Sequence, residues 1–270
     1  MAMPGRPSTA TMLNKVPEVT IYFWVIKVLA TTVGETAADF LSTTLNLGLT
    51  GTSFVMGALF ALALAIQVVR KSYVPWIYWL TVVLISVVGT LITDNLVDNL
   101  GIGLEATTIA FGIALAVVFA VWYAVERTLS IHTIVTTRRE LFYWAAILFT
   151  FALGTAGGDL ASEGLGLGYG QAAFIFAALI AVVAGFHFLL KLDAVLAFWI
   201  AYILTRPLGA SIGDLLSQAI PDGGLGLGTM VTTAVFLATI LSLVIYLSLT
   251  RKDQLPPVSS PMSSAVSSEA

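Results

Sequence analysis

The chain contains no cysteine. Disulfides, thiolate metal sites and thiol redox pairs are therefore excluded. Charged residues make up 10% of it, where soluble domains carry about a quarter. Its two histidines, His132 and His187, form no His-rich metal motif, and no Ser/His pair marks a nucleophile. There is no Gly-rich phosphate loop and no nucleic-acid signature, and the net charge of -3 is too small to imply a polyanionic partner. No loop is long enough to hold a catalytic site. These absences argue against an enzyme, against a bound cofactor and against a nucleic-acid partner. The first fifteen residues, MAMPGRPSTATMLNK, lack the apolar core of a signal peptide, so they are expected to be retained.

What is abundant is apolar: 58% of residues are hydrophobic and the mean hydropathy is +0.97. A run of about 20 apolar residues spans the hydrocarbon core as a helix. Such runs are read at 18–43, 50–69, 76–98, 104–125, 141–162, 169–190, 194–218 and 228–250. The predicted fold is all-α: a polytopic membrane protein of eight transmembrane helices, with the lipid bilayer as its first partner.

The eight runs form four tandem copies of one two-helix unit. Trp24, Trp79, Trp144 and Trp199 each precede by ten residues a glycine: Gly34, Gly89, Gly154 and Gly209. Five residues further stands an aspartate: Asp39, Asp94, Asp159 and Asp214. An L-[NG]-[LI]-G turn ends each motif, at Gly48, Gly103, Gly168 and, after an insertion around Pro221, Asp222 and Gly223, at Gly228. The copies lie 55, 65 and 55 residues apart, which divides the chain into two halves. The predicted division is an N-terminal tail (1–16), repeats 1 and 2 (17–125), a connector (126–140), repeats 3 and 4 (141–250) and a tail (251–270), Ser- and Pro-rich and disordered from Asp253. Two spans return the chain to its starting side, so the copies share one topology. They are expected to be related by a pseudo-two-fold axis, approximately four-fold, along the membrane normal.

Lysine and arginine set the orientation. Ten of the twelve flank the spans on one side: Arg6, Lys15, Arg70, Lys71, Arg127, Arg138, Arg139, Lys191, Arg251 and Lys252. The loops on the other side hold none. By the positive-inside rule both termini are cytoplasmic, and the tryptophans fall at the cytoplasmic ends of the odd-numbered helices, as an interfacial aromatic belt. The nearly uncharged even-numbered helices suit a lipid-facing perimeter.

Each odd-numbered helix carries a polar stripe. Four residues before the aspartates stand Glu35, Thr90, Thr155 and Ala210, and four after them Thr43, Asp98, Glu163 and Gln218. Positions four apart share a helix face. Beside the stripe run small pairs, Gly34/Ala38, Gly89/Thr93, Gly154/Gly158 and Gly209/Gly213, which let membrane helices approach closely. The expected arrangement is four odd-numbered helices around an axis with acidic stripes inward. With a rise of 1.5 Å per residue, the aspartates lie roughly 22 Å beyond the tryptophans, in an outer vestibule, or deeper if the helices unwind after the glycine. Thr205-Arg206-Pro207 predicts a kink, because proline removes a backbone donor.

Lys27, Glu35, Asp39, Asp94, Asp159, Arg206 and Asp214 all fall inside predicted spans. An intramembrane charge marks function unless it serves a purely structural network. Carboxylates with hydroxyls such as Thr31 and Thr32 form an oxygen-rich path for hard cations. Crowded carboxylates share protons, which makes proton exchange feasible. Glu35, Asp39, Asp94, Asp159 and Asp214 are the candidate metal-binding set, with Lys27 and Arg206 as tethered cations of the same path. His187 and His132 are not read as ligands. The residues point first to a secondary transporter of a cation, a divalent metal exchanged for protons. The alternatives are an exporter of a small organic solute, whose anionic group would meet Arg206 or Lys27, and a non-transporting scaffold or sensor. A homo-oligomer is compatible with every reading.

The tandem copies, with Trp24, Trp79, Trp144 and Trp199 and their G-x4-D motifs, resemble a family of bacterial inner-membrane proteins built from four tandem two-helix repeats of unknown function, the uncharacterised membrane-anchored proteins. The resemblance covers about residues 17 to 250. It implies the fold and a bacterial inner membrane, and brings no activity with it.

Overall fold

The computed structural model describes residues 14–254. Among these there are helices and turns and no strand. Eight long helices follow in order: α1 (Ile21–Asp39), α2 (Gly48–Val69), α3 (Pro75–Asp94), α4 (Leu104–Glu126), α5 (Thr137–Asp159), α6 (Tyr169–Leu190), α7 (Ala194–Ser217) and α8 (Thr229–Thr250). Seven are long and apolar enough to cross a membrane; α1, which carries Lys27, Glu35 and Asp39, is not among them. These helices make the chain a membrane protein by composition.

Local chemistry starts and stops the helices. Thr20 and Thr136 accept from the backbone N–H groups of Phe23 and Arg139, and the Asp193 Oδ1 accepts from Val195 and Leu196 at 3.0 Å. Such side chains satisfy donors that have no partner within the helix. Pro75 opens α3, where its missing N–H is not needed. Arg127, Lys191 and Arg251 close α4, α6 and α8 in left-handed conformation. Their positive charges face the negative ends of the helix dipoles.

The helices form two layers. In α3, α5 and α7, 78%, 61% and 50% of the most apolar stretch is buried. In α2, α4, α6 and α8 the share falls to 22%, 17%, 0% and 28%. Phe54, Leu62, Ile109, Phe174, Leu189 and Leu241 are exposed on this outer layer, a surface that suits hydrocarbon rather than water. The inner helices form a closed ring in which α1 packs against α3, α3 against α5, α5 against α7 and α7 against α1. Each outer helix lies on the next inner one: α2 on α3, α4 on α5, α6 on α7 and α8 on α1.

The repeated glycines close this ring in one rotational sense. A Cβ on Gly34 would overlap Ser86, one on Gly89 Phe151, one on Gly154 Arg206, and one on Gly209 Thr31. Each glycine thus admits the residue that stands eight before the aspartate of the following helix. Cross-helix hydrogen bonds run alongside. Ser86 Oγ donates to Ala30 O at 2.9 Å, and Thr93 Oγ1 to Ala152 O at 3.0 Å.

One expectation needs correction. Trp79, Trp144 and Trp199 do not form an interfacial belt; they are buried inside the ring, and only Trp24 is partly exposed. They pack on Phe23, Tyr78, Tyr143, Phe198 and Tyr202, because the ring needs large side chains where no glycine draws the helices together. Pro207 lies inside α7, with helical residues on both sides of it. The chain does not unwind after the glycines, the condition under which the aspartates would lie deeper. In α1, α3 and α5 the helix continues to the aspartate and then widens into one π turn, at Phe40–Thr44, Asn95–Asn99 and Leu160–Gly164.

The terminal segments are fastened to the ring at the tryptophan end. Lys15 N donates to Ile134 O, Tyr73 N to Asn14 O, and Glu18 N to Asp253 O. Lys15, placed by sequence in the N-terminal tail, is buried, and its Nζ donates to Glu140 Oε2 at 2.6 Å and Val68 O at 2.9 Å. Gln67 Nε2 donates to Glu140 Oε1 at 3.1 Å. Asp253, read from sequence as the start of a disordered tail, is buried and accepts from Tyr73 Oη at 2.5 Å. Residues 1–13 and 255–270, with Arg6 and the rest of both expected tails, lie outside the described residues.

Candidate functional site: an acidic cavity at one end of the ring

Beyond the glycines the inner helices line a cavity of about 370 Å³. It is lined by Glu35, Asp39, Asp94, Asp98, Asp159, Glu163 and Asp214, with Ser42, Thr43, Thr93 and Gln218. Gly48 and Leu104, the first residues of α2 and α4, also line it. The cavity therefore sits at the end of the bundle where inner helices hand over to outer ones.

The repeat explains the convergence. The aspartates occupy equivalent positions at the ends of α1, α3 and α5 and near the end of α7. The π turn that follows the first three changes the helical phase by one residue. In this way Ser42 and Asp98 or Glu163 are carried round toward the same space. π turns of this kind are common at functional positions. The fourth copy has no such turn; its insertion, with a short 3-10 helix at Ile220–Asp222, follows α7 instead. There Gln218 Nε2 donates to Asp39 Oδ2 at 3.4 Å.

Within the cavity, carboxylate oxygens of Glu35, Asp159 and Asp214 lie within 4.8 Å of one another. Three oxygens at that spacing can face one hard cation, which takes oxygen ligands from several carboxylates and completes its shell with water. Asp39 and Asp94 line the same cavity outside this group of three.

Arg206, expected on the cation path, does not line the cavity itself but lies behind Glu35, which does. Arg206 is fully buried and reaches every other helix of the ring. Its Nη2 donates to Glu35 Oε2 at 2.9 Å and Thr155 Oγ1 at 2.6 Å, and also to Thr90 Oγ1; its Nη1 donates to Thr31 O at 3.1 Å. Glu35, Thr90 and Thr155 stand four residues before their aspartates, and the fourth such position is the small Ala210, beside which Arg206 extends. Charge-assisted bonds to a carboxylate are the strongest of these contacts. One cation against the lining carboxyls leaves the cavity with an excess of acidic groups.

Thr31 and Thr32, expected on the cation path, do not line the cavity. Both are buried at helix contacts, and their hydroxyls donate to Val28 O at 2.6 Å and 3.2 Å. Helix-interior threonines commonly turn back to the preceding turn in this way. Lys27 also lies outside the cavity lining. It is buried below Arg206, with Nζ 4.1 Å from the ring centres of both Phe151 and Tyr202 and without a hydrogen-bond partner. His187 and His132 line a separate apolar cavity of about 660 Å³ among α1, α6, α7 and the 129–132 loop, at the tryptophan end. His187 Nδ1 lies 2.8 Å from Leu192 O. The sequence stripe already contained Asp98, Glu163 and Gln218, but nothing local distinguished a lining residue from one facing a neighbouring helix. The buried Lys15–Glu140 pair had no sequence signal, since Glu140 stands in the polar connector.

Four consecutive stretches, residues 22–73, 77–128, 142–192 and 197–253, match the family model described as Repeat of Unknown Function (DUF347). Each stretch begins two residues before one of the four motif tryptophans. Neither a curated protein nor a solved structure matches the chain.

Proposed function

We propose a function for a chain that belongs to the Repeat of Unknown Function (DUF347) family: it is a secondary transporter that moves a cation, a divalent metal exchanged for protons, through the acidic cavity between its inner helices. The observation that carries this reading is the convergence of Glu35, Asp159 and Asp214 from three helices, with oxygens within 4.8 Å of one another, above the buried Arg206. A structural ion pair would need one carboxylate for that guanidinium, and the cavity holds several more. In this reading the cation is cargo. It competes with Arg206 for Glu35 and is held by Asp159 and Asp214, while Asp39 and Asp94, on the same cavity wall, raise its local concentration.

The proposal includes a placement. All eight helices span a bacterial inner membrane, α1 with its charges turned into the ring. The repeats are related by a pseudo-two-fold axis, approximately four-fold, along the membrane normal, and both termini are cytoplasmic. The one-sided distribution of lysine and arginine supports this orientation. A reporter active only outside the cytoplasm should be silent after Arg70 or Arg138 and active near Gly48, Gly101 or Gly166; the reverse pattern overturns the orientation.

The functional test is flux into liposomes holding purified protein, screened over Mn²⁺, Mg²⁺ and other divalent ions with a pH gradient. Glu35→Gln and Asp159→Asn, matched for reconstituted protein, should lose cation-dependent proton movement. Full flux in both variants would make the carboxylates structural. The cavity volume favours one second reading, a small organic solute, since about 370 Å³ exceeds what a bare ion fills and reaches the range of small-molecule sites. Solute flux without metal flux would select it.

A further inference from the structure

Below Arg206 the ring is closed by side chains alone. Phe151 and Arg206 stand eight residues before their aspartates, and Lys27 and Tyr202 twelve before theirs. All four are buried, as are Phe23, Tyr78 and Tyr143 one turn further on. Any route from the acidic cavity to the tryptophan end passes through this layer. Lys27 is its one basic group besides Arg206, and the two differ sharply. Arg206 donates to four oxygens. Lys27 Nζ donates to none; it faces only the rings of Phe151 and Tyr202. The same Phe151 ring lies 5.8 Å from Arg206 Cζ.

Aromatic faces attract an ammonium through their quadrupole, but they accept no hydrogen bond of ordinary strength. An ammonium without acceptors is held far less firmly than a guanidinium bonded to a carboxylate and three other oxygens. The free amine fits the same two rings without that penalty. Lys27 can therefore change charge within one geometry, whereas Arg206 remains a cation in proteins. The other titratable or charged groups on the surrounding helices, apart from those of the acidic cavity, are Tyr202 and Arg206 on α7, Tyr78 on α3, Tyr143, Glu140, Arg138 and Arg139 on α5, and Tyr246 on α8. Tyr78 and Tyr143 are joined hydroxyl to hydroxyl at 2.5 Å, and Glu140 is taken by Lys15 and Gln67. Arg138 and Arg139 are paired with Glu126, and Tyr246 accepts from Lys252. No carboxylate is left in this layer to neutralise Lys27.

We propose that Lys27 couples transport to protons: a cation leaves the acidic cavity for the tryptophan end only when the Lys27 ammonium has given up a proton, and Lys27 is reprotonated after the cation has passed. The N–H bond breaks with its electron pair staying on Nζ, the proton goes to water on the cavity side, and the amine takes its next proton from water at the tryptophan end once the cation has passed. A second positive charge on the axis repels the cation while the proton is present, and the amine offers it a lone pair once the proton is gone. This inference rests on the cation-transport reading above and adds the residue that carries the exchange.

The test uses the full chain in liposomes with Mn²⁺ as the probe and proton movement read in parallel. Lys27→Arg fixes the charge, and Mn²⁺ flux should fall by about tenfold or more at every pH, as a permanent like charge on the path requires. Lys27→Met removes charge but keeps length, so Mn²⁺ flux should persist while proton counter-movement and the pH dependence of the rate disappear. Coupled flux in Lys27→Met with an unchanged pH profile overturns the proposal, as does normal flux in Lys27→Arg. If either variant fails to fold, selective ¹⁵N-lysine NMR of the unmodified protein decides. The charge state of Lys27 Nζ should change over the pH range in which the rate of Mn²⁺ flux changes, and a fixed charge state across that range overturns the proposal. An unmodified protein that moves no Mn²⁺ or other cation defeats the transport reading itself. Cation flux that stays coupled without Lys27 defeats only the present inference.

Discussion

The two ends of the inner ring are built on opposite terms. At the tryptophan end the charged side chains around the terminal segments are paired, although Lys27 Nζ and the indole nitrogens of Trp79 and Trp144 have no partner. Lys15 and Gln67 share Glu140, Arg138 and Arg139 share Glu126, and Tyr78 meets Tyr143. Indole and phenol rings fill the space between the helices. At the other end seven carboxyl groups line one cavity, and one buried guanidinium behind it bonds to Glu35. The same repeat supplies both ends, so the contrast is not an accident of composition. One end pairs the charges around its terminal segments and holds the ring together. The other gathers several carboxyl groups around one cavity.

Substitutions can break this comparison, and the largest effect belongs at the closed end. Glu140→Ala leaves the buried Lys15 ammonium without its carboxylate, and removing one partner of a buried pair typically destabilises by about 3–5 kcal/mol. Thermal unfolding in detergent should show a marked drop; a small change would mean that Lys15 finds another acceptor among its neighbours. Next is Gly209→Leu, which drives a side chain into Thr31 of α1. Overpacking costs about 1–3 kcal/mol, and here the whole ring must open to admit it. Leu62→Ala on the exposed face of α2 serves as the control and should stay within about 0.5 kcal/mol. Equal stability of the two variants would show that the ring tolerates separation at the glycines.

The acidic end should respond in the opposite sense. Asp159→Asn relieves like-charge crowding, so stability should change by less than about 1 kcal/mol or increase, while cation-dependent flux is lost. A large loss of stability would assign Asp159 to the framework and not to the cavity's chemistry. The smallest expected effect is at His132, which lies 3.7 Å from Glu18 in the loop at the closed end. The Glu18 carboxylate raises the His132 pKa, against the opposing effect of partial burial. A raised folded-state pKa contributes stability that is fully present below the unfolded value, about 6.5, and is lost as pH rises through the folded value. The side chain is half exposed, so solvent screens most of this. Melting curves of the unmodified protein and of Glu18→Gln should separate slightly at pH 5.5 and coincide at pH 8.5; identical curves at both would leave the pair without energetic weight.

Much of the architecture was legible in the chain itself. Four copies of W-x9-G-x4-D with apolar runs of membrane length determined the number of long helices, their division into inner and outer sets and their boundaries to within a few residues. These follow from local causes: hydropathy over consecutive residues, helix-capping side chains and small residues at fixed spacing. The acidic stripe was equally visible, because positions four apart share a face whatever the helix packs against. Tertiary structure alone decided the rest. It set the order of neighbours around the ring, each glycine admitting the residue eight before the next aspartate. It also turned Trp79, Trp144 and Trp199 inward, set Thr31 and Thr32 at buried helix contacts, and gathered Glu35, Asp159 and Asp214 ahead of Asp39 and Asp94. Arg206 shows why. Its sequence position places it two turns before Asp214 on one helix, but its four bonds go to the other three helices, and those lie within reach only once the ring has closed.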